Sequence, residues 1–251
     1  MANNVIKREL LEILQAIDYI CTQENISYML GYGTLLGAVR EHDFIDWDDD
    51  ADLIMHRRDF EAFEKCSLKY LLDMGLFLGS TSIGKANDWQ CVSVIPHVGR
   101  FDNPDRMVEI MILDTIPANK IKRKIQVFML LLLHVMFRKN VNYQAYNNLS
   151  RRTLMFMISV IGRLTSEEAK LKAFKNVSTL GNQEQSDLLF ISTERPQFLD
   201  LQIKKSFVEN TIRMPFAGAY LLVPAGWDAF LKLFYGDDYM TPKRNDYYVS
   251  V

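Results

Sequence analysis

Residues 31–55 read GYGTLLGAVREHDFIDWDDDADLIM, and the fold follows from how that stretch is parsed. A short strand over 26–30 is expected to run into Gly31-Tyr32-Gly33, where two glycines permit a tight turn. Thr34 is then placed to cap a short helix reaching about Arg40. Further on, Asp50-Ala51-Asp52-Leu53-Ile54-Met55 ends in an apolar run that suits a strand. Side chains two apart on a strand share a face, so Asp50 and Asp52 point the same way. Asp48 and Asp49 immediately precede them, and four crowded carboxylates repel. At about 6 Å and an effective dielectric near ~20, each pair costs roughly 3 kcal/mol.

Either the cluster is a solvated acidic loop or a cation holds it together. Phe44-Ile45 and Trp47 before it, and Leu53-Ile54-Met55 after it, predict anchoring in the core, which favours the cation. Magnesium takes oxygen ligands and needs only one or two carboxylates, leaving its other positions to phosphate and water; manganese is the alternative. Amides at a glycine turn that opens a helix cradle phosphate, so Gly33 and Thr34 are expected at the substrate. Carboxylates Asp48, Asp50 and Asp52 beside such a cradle describe metal-assisted phosphoryl transfer.

On either side of this centre the periodicity is clear. Residues 4–24 predict an amphipathic helix, with Asn3 or Asn4 at its start and Asn25 at its end. Residues 58–73 predict another, stopped by Gly75, and strands follow at 76–80, 91–98 and 107–113. In that last strand Glu109 is an acid in an apolar run, expensive unless paired or metal-bound, and is the candidate third carboxylate and proton acceptor. Asp114, at its end, reads as a turn or capping residue. Lys85 and Arg100 fall in expected strand-flanking loops and are candidate contacts to donor phosphate. The four histidines show no zinc spacing. Trp89, Tyr220 and Tyr239 suit either the core, stacking on a base, or enclosure of a quaternary ammonium.

From residue 119 to about 164 the chain becomes basic, aliphatic and helical. Its centre, IQVFMLLLLHVMF at 125–137, is too short to span a bilayer. Basic residues flank it, so 120–139 is either a buried helical pair with solvated ends or an interfacial contact with anionic headgroups. A helix opening at Pro224 and stopping at Gly236 is expected near the end. The 251 residues are 49% hydrophobic with a net charge of -2, which suits a folded core and gives no global field for nucleic acid. Three scattered cysteines make no disulfide framework, and the first residues lack a secretory leader's apolar centre. A cytoplasmic location is expected, at the inner face of the membrane if 120–139 binds it.

The segment Gly33-Thr34-Leu35-Leu36-Gly37-Ala38-Val39-Arg40, then Phe44-Ile45-Asp46-Trp47-Asp48-Asp49-Asp50 and Asp52, resembles the signature of the LicD family, which includes phosphocholine transferases and relatives of the fukutin-related proteins. VEIMILDTIP resembles a second family segment, with Glu109 where aspartate is usual, and LLVPAGWDAFLKLFYGDDYMTP resembles its closing element. The resemblance implies an α/β (α+β) nucleotidyltransferase-type mixed sheet with flanking helices and a helical insertion. The change of character after Pro117, which no family motif covers, divides the chain into a catalytic core at 1–118, an insertion at 119–180 and a C-terminal part, 181–251, expected to complete the core. The resemblance also implies the chemistry. A CDP-activated alcohol, phosphocholine first and glycerol or ribitol phosphate as alternatives, gives its phospho-alcohol to a hydroxyl of a glycan, lipid-linked in some cases. Teichoic acid, capsule and lipopolysaccharide are the candidate acceptors. Arg40 would neutralise developing negative charge. Nucleotidyl transfer to a small acceptor, and a non-catalytic nucleotide- or glycan-binding relative, remain the other readings.

Overall fold

The computed structural model describes residues 2–80, 82–86, 89–138 and 148–242, with side chains over 4–80, 94–138 and 148–242. It is a mixed α+β protein that separates into two compact units. The first comprises residues 1–79, 96–113 and 203–251; the second comprises 80–95 and 114–202. In this grouping residues 80–95 belong to the second unit and residues from 203 onward to the first.

The first unit opens with α1 (Ala2–Glu24), which buries Leu10, Ile13, Leu14, Ile17 and Cys21 along one stripe. The helix begins before Asn3 and Asn4, so neither is its cap. It ends where Asn25 turns to φ 53 and Ile26 N–H donates to the Cys21 carbonyl at 2.8 Å, the bond that closes a left-handed helix end. Strand β1 is only Met29–Leu30, and α2 (Tyr32–Arg40) follows directly. Next come β2 (Asp52–His56), α3 (Arg57–Cys66) and α4 (Leu68–Asp73). The expected single helix at 58–73 is thus two, divided at Ser67.

Strands β3 (Leu76–Gly79), β6 (His97–Arg100) and β7 (Met107–Thr115) complete a sheet in the order β1-β2-β7-β6-β3. Along this path β2 and β7 are parallel and the other neighbours antiparallel. Its apolar residues Leu53, Met55, Ile110 and Ile112 are buried. The unit closes with β9 (Ile203–Lys204), α8 (Lys205–Val208), the hairpin β10 (Thr211–Phe216) and β11 (Ala219–Pro224), and α9 (Trp227–Tyr235). Pro224 therefore ends a strand instead of opening the helix, while Gly236 stops α9 at φ 85 as expected. Tyr28 hydroxyl accepts from Leu222 N–H at 3.3 Å, and Arg213 pairs with Asp18 at 3.0 Å, tying this returning segment to the first 30 residues.

The second unit contains the hairpin β4 (Ser82–Ala86) and β5 (Trp89–Ser93), then α5 (Lys120–Phe137), α6 (Leu149–Leu164), α7 (Glu167–Ser178) and β8 (Leu188–Ile191). Leu130, Leu133, Phe137, Phe174, Val177 and Phe190 form its core. Gly162 lets α6 cross α5 closely, since a Cβ there would lie 2.5 Å from the Met136 carbonyl. Two polar side chains are built into this core. Gln126 donates to the Val177 and Ser178 carbonyls at 2.9 Å. Arg123 donates to Gln126 and to the Leu199 carbonyl and lies over the Phe190 ring at 4.1 Å. Asp114 is buried within β7, not in a turn, and accepts from Asn182 at 2.7 Å.

Candidate active site

The acidic centre is assembled by a chain reversal along α2. Gly33 and Gly37 stand four apart on this nine-residue helix, so they share a face. The segment returning from Arg40 packs against that face. A Cβ on Gly37 would fall 2.4 Å from the Asp43 carbonyl, and one on Gly33 would fall 2.5 Å from Asp48 Oδ2. Phe44 and Ile45 are buried, and Asp48 N–H donates to the Ile45 carbonyl at 3.1 Å. The reversal thereby carries the Asp48 carboxyl back to the amide end of α2. First-turn amides such as those of Gly33 and Thr34 have no acceptor within their own helix, and that end carries partial positive charge.

The glycines thus serve close approach. It is Tyr32, between two of them, that adopts φ 45, a backbone state costing a non-glycine residue about 1–3 kcal/mol. Its ring is fully buried and meets Phe234 edge-on at 5.0 Å and Phe230 at 6.4 Å. Thr34 is not the cap expected of it, because the helix starts two residues earlier with Gly31 as N-cap. Its buried hydroxyl instead accepts from Asp52 N–H at 2.9 Å, joining the first turn of α2 to the first residue of β2.

Asp48 is hydrogen-bonded to Asp50, and its carboxyl is pushed up to about 7 by burial first and then by the charge of Asp50. Ala51 between them and Asp52 is fully buried, and its carbonyl accepts from Glu109 N–H at 3.0 Å. Strand β2 begins at Asp52, so Asp50 lies just before it, outside the strand on which the two are expected to share a face. Asp52 pairs with Glu109 across the β2–β7 ladder, Glu109 with His97 across β7–β6, and His97 with Gly79 across β6–β3. Directly paired residues share a face, with Cβ atoms roughly 5 Å apart. One transverse row thus reads acid, acid, imidazole, glycine. Gly79 leaves room for the His97 ring, whose Nε2 would sit 2.5 Å from an added Cβ, and Phe77 meets the ring edge-on at 5.8 Å. His97 is the residue that spacing alone missed; only the pairing register sets it beside Glu109.

Other expected members lie elsewhere. Arg40 sits at the far end of α2, about 10 Å along the axis from the Gly33-Thr34 turn. There its side chain, 4% exposed, holds Glu41 at 3.0 Å and the Tyr239 carbonyl at 3.4 Å. Arg100 is a strand residue, three positions from His97, so alternation turns it to the opposite face. It is bound to Asp102 at 2.9 Å and to Glu12 at 2.7 Å. Lys85 lies on β4 rather than in a loop, and its side chain and that of Trp89 are outside the described residues. Tyr239 is buried and donates to Asp228 at 2.8 Å, while Tyr220 is exposed on β11. Trp47, expected in the core, is 44% exposed beside Asp48.

Among the described residues, no three acidic, histidine or cysteine side chains converge closely enough to hold a metal alone. The four-carboxylate shell of Asp48, Asp50, Asp52 and Glu109 is therefore not assembled in advance. A hard dication does not require one. Asp48 and Asp50 supply two converging carboxyls whose mutual repulsion such a cation would relieve, and substrate phosphate can fill other positions. The donor set fits magnesium.

Residues 25–127 match the model of the LicD/FKTN/FKRP nucleotidyltransferase domain. This segment is a LicD-family domain. The acidic row and the α2 turn both fall inside it. The chain is also similar to the lipopolysaccharide cholinephosphotransferase LicD of Haemophilus influenzae, 42% identical over 66 residues. That stretch is 25% of this chain and 25% of the relative, so the likeness spans about a quarter of the relative's length. The matched segment contains the aspartates and Glu109 and ends within α5.

Proposed function

We propose that this protein is a metal-dependent transferase that moves a phospho-alcohol, phosphocholine first, from a CDP-activated donor to a hydroxyl of a cell-surface glycan such as lipopolysaccharide. The observation that carries this reading is the approach of Asp48, with Asp50 beside it, to the first turn of α2 inside a segment that matches the LicD-family domain. The activity named for the Haemophilus relative supports phosphocholine as the group and lipopolysaccharide as the acceptor class.

Asp48, Asp50 and Asp52 would hold magnesium, which when bound neutralises charge on the diphosphate. The Gly33 and Thr34 amides would receive donor phosphate oxygens. Glu109, in the same row as Asp52, would accept the proton as the acceptor oxygen forms its bond to phosphorus and the bond to cytidine monophosphate breaks. Thr34 keeps Asp52 in register with the turn.

The test is release of cytidine monophosphate from CDP-choline, CDP-glycerol and CDP-ribitol with magnesium and a glycan acceptor. We expect metal-dependent release, greatest with CDP-choline, and its loss in Asp50→Asn with an unchanged melting curve. No release from any donor, nucleotide recovered on the acceptor, or full turnover by Asp50→Asn would each defeat the assignment.

A further inference from the structure

The second unit carries a feature that the transfer reaction does not use. Helix α5 buries Arg123, Gln126, Leu130, Leu133 and Phe137 at three- and four-residue steps. Its opposite face bears Ile121, Ile125, Phe128 and Met129, all exposed, Phe128 by 58%. Helix α6 likewise buries Ile158, Ser159 and Gly162 and exposes Leu149, Phe156, Met157 and Ile161, Phe156 by 54%. Exposed apolar side chains scattered singly are ordinary, but runs of this kind mark an interaction surface.

Charge identifies what covers it. The two helices contain no Asp or Glu, and Lys120, Lys124, Arg151, Arg152 and Arg163 stand exposed among the apolar residues. Lys122 and Arg123 point elsewhere, to Glu184 and into the core. A second copy of the chain would set like charges against each other. Among the described residues, no helix is long and apolar enough to cross a membrane. Apolar side chains ringed by cations, on helices too short to span, match a helix that lies in the headgroup layer. We propose that α5 and α6 bind the surface of bilayers bearing anionic headgroups and lie on it without crossing it. Long basic side chains suit this, since their stems rest on apolar surface while their heads reach phosphate.

Flotation of the whole chain with vesicles tests this, using phosphatidylcholine alone and phosphatidylcholine mixed with phosphatidylglycerol, at low and high salt. We expect binding to the mixed vesicles at low salt, weakened by salt, and little to the neutral ones. Each basic residue near an anionic surface strengthens binding roughly fivefold, so Arg151→Gln with Arg163→Gln should weaken it roughly 25-fold. Phe128→Ser with Phe156→Ser should abolish it, and Leu68→Ser, an exposed apolar change in the first unit, should leave it intact. Circular dichroism melts of each variant separate lost binding from lost folding. Equal binding to neutral vesicles, no binding to mixed ones, binding that survives the double serine change in a folded protein, or a dimer in sedimentation that the same change dissolves would overturn the proposal.

Discussion

Replacing Gly33 by alanine exchanges a hydrogen for a methyl group at the place where Asp48 meets α2. The new Cβ would lie 2.5 Å from Asp48 Oδ2, while ordinary contact begins at 3.4 Å, so the oxygen must retreat by about 0.9 Å. Asp48 is the tip of a flexible side chain and half-buried, so the fold absorbs this at small cost. Alanine also favours a helix over glycine by up to about 1 kcal/mol. Gly33→Ala should therefore melt within a few degrees of the parent. Activity should respond differently, because a displacement of about 1 Å at a catalytic constellation reduces rate on the order of 100-fold. Gly37→Ala is the matched control on the same face. Its Cβ would fall 2.4 Å from the backbone carbonyl of Asp43, which cannot swing aside. That change should destabilise by about 1–3 kcal/mol and lower the melting temperature visibly. The assay pairs thermal melts with magnesium-dependent release of cytidine monophosphate. A Gly33→Ala protein with parental turnover and parental magnesium dependence would refute the argument that the Asp48–α2 contact organises the site.

Two groups give opposite pH dependences. Asp48 titrates at about 7 in the fold against 3.8 as a free side chain, so its contribution to stability is full below 3.8 and disappears as pH rises through about 7. The metal-free protein should thus lose stability over that window, and magnesium should raise the melting temperature more at pH above 7 than at acidic pH; equal shifts at both would count against Asp48 as a ligand. His134 is held down at about 4 by burial, its Nε2 has no partner, and it meets Phe174 edge-on at 5.4 Å. Its folded value lies below the ordinary 6.5, so stability is lost as pH falls from 6.5 to about 4, by up to about 3 kcal/mol, and His134→Leu should flatten that part of the melting profile. Arg123→Met should destabilise by about 2–4 kcal/mol, since it strips the Leu199 carbonyl and Asp200 of a buried cation; an unchanged melt would refute this.

The helices α1 and α5 and the strands β2 and β7 are legible in the sequence because they rest on local periodicity and a dense motif, whereas the parallel pairing of the two strands is not. The sequence is least informative where long-range pairing decides. Nothing local says that Glu109 faces His97, because that depends on the register of β6 against β7. The role of Thr34 is hidden for a similar reason, since its partner, Asp52, is eighteen residues away. Trp47 looked like an anchor by its neighbours, yet Phe44 and Ile45 do that work and leave the indole outside. Arg40 and Arg100 are cations in the right segments whose ion pairs, with Glu41 and with Asp102 and Glu12, come from geometry that composition does not encode.

The returning segment after residue 202 has a consequence for biosynthesis. All the acidic residues of the site have left the ribosome by Glu109, but the frame around α2 waits for partners more than 100 positions later. His42 receives Ala217 N–H at 2.8 Å, Tyr32 packs on Phe230 and Phe234, and Arg40 holds Tyr239. A nascent or prematurely terminated chain would carry every carboxylate yet lack the clamp that aims them. The frame around α2 is therefore completed only when the last fifth of the chain has been made.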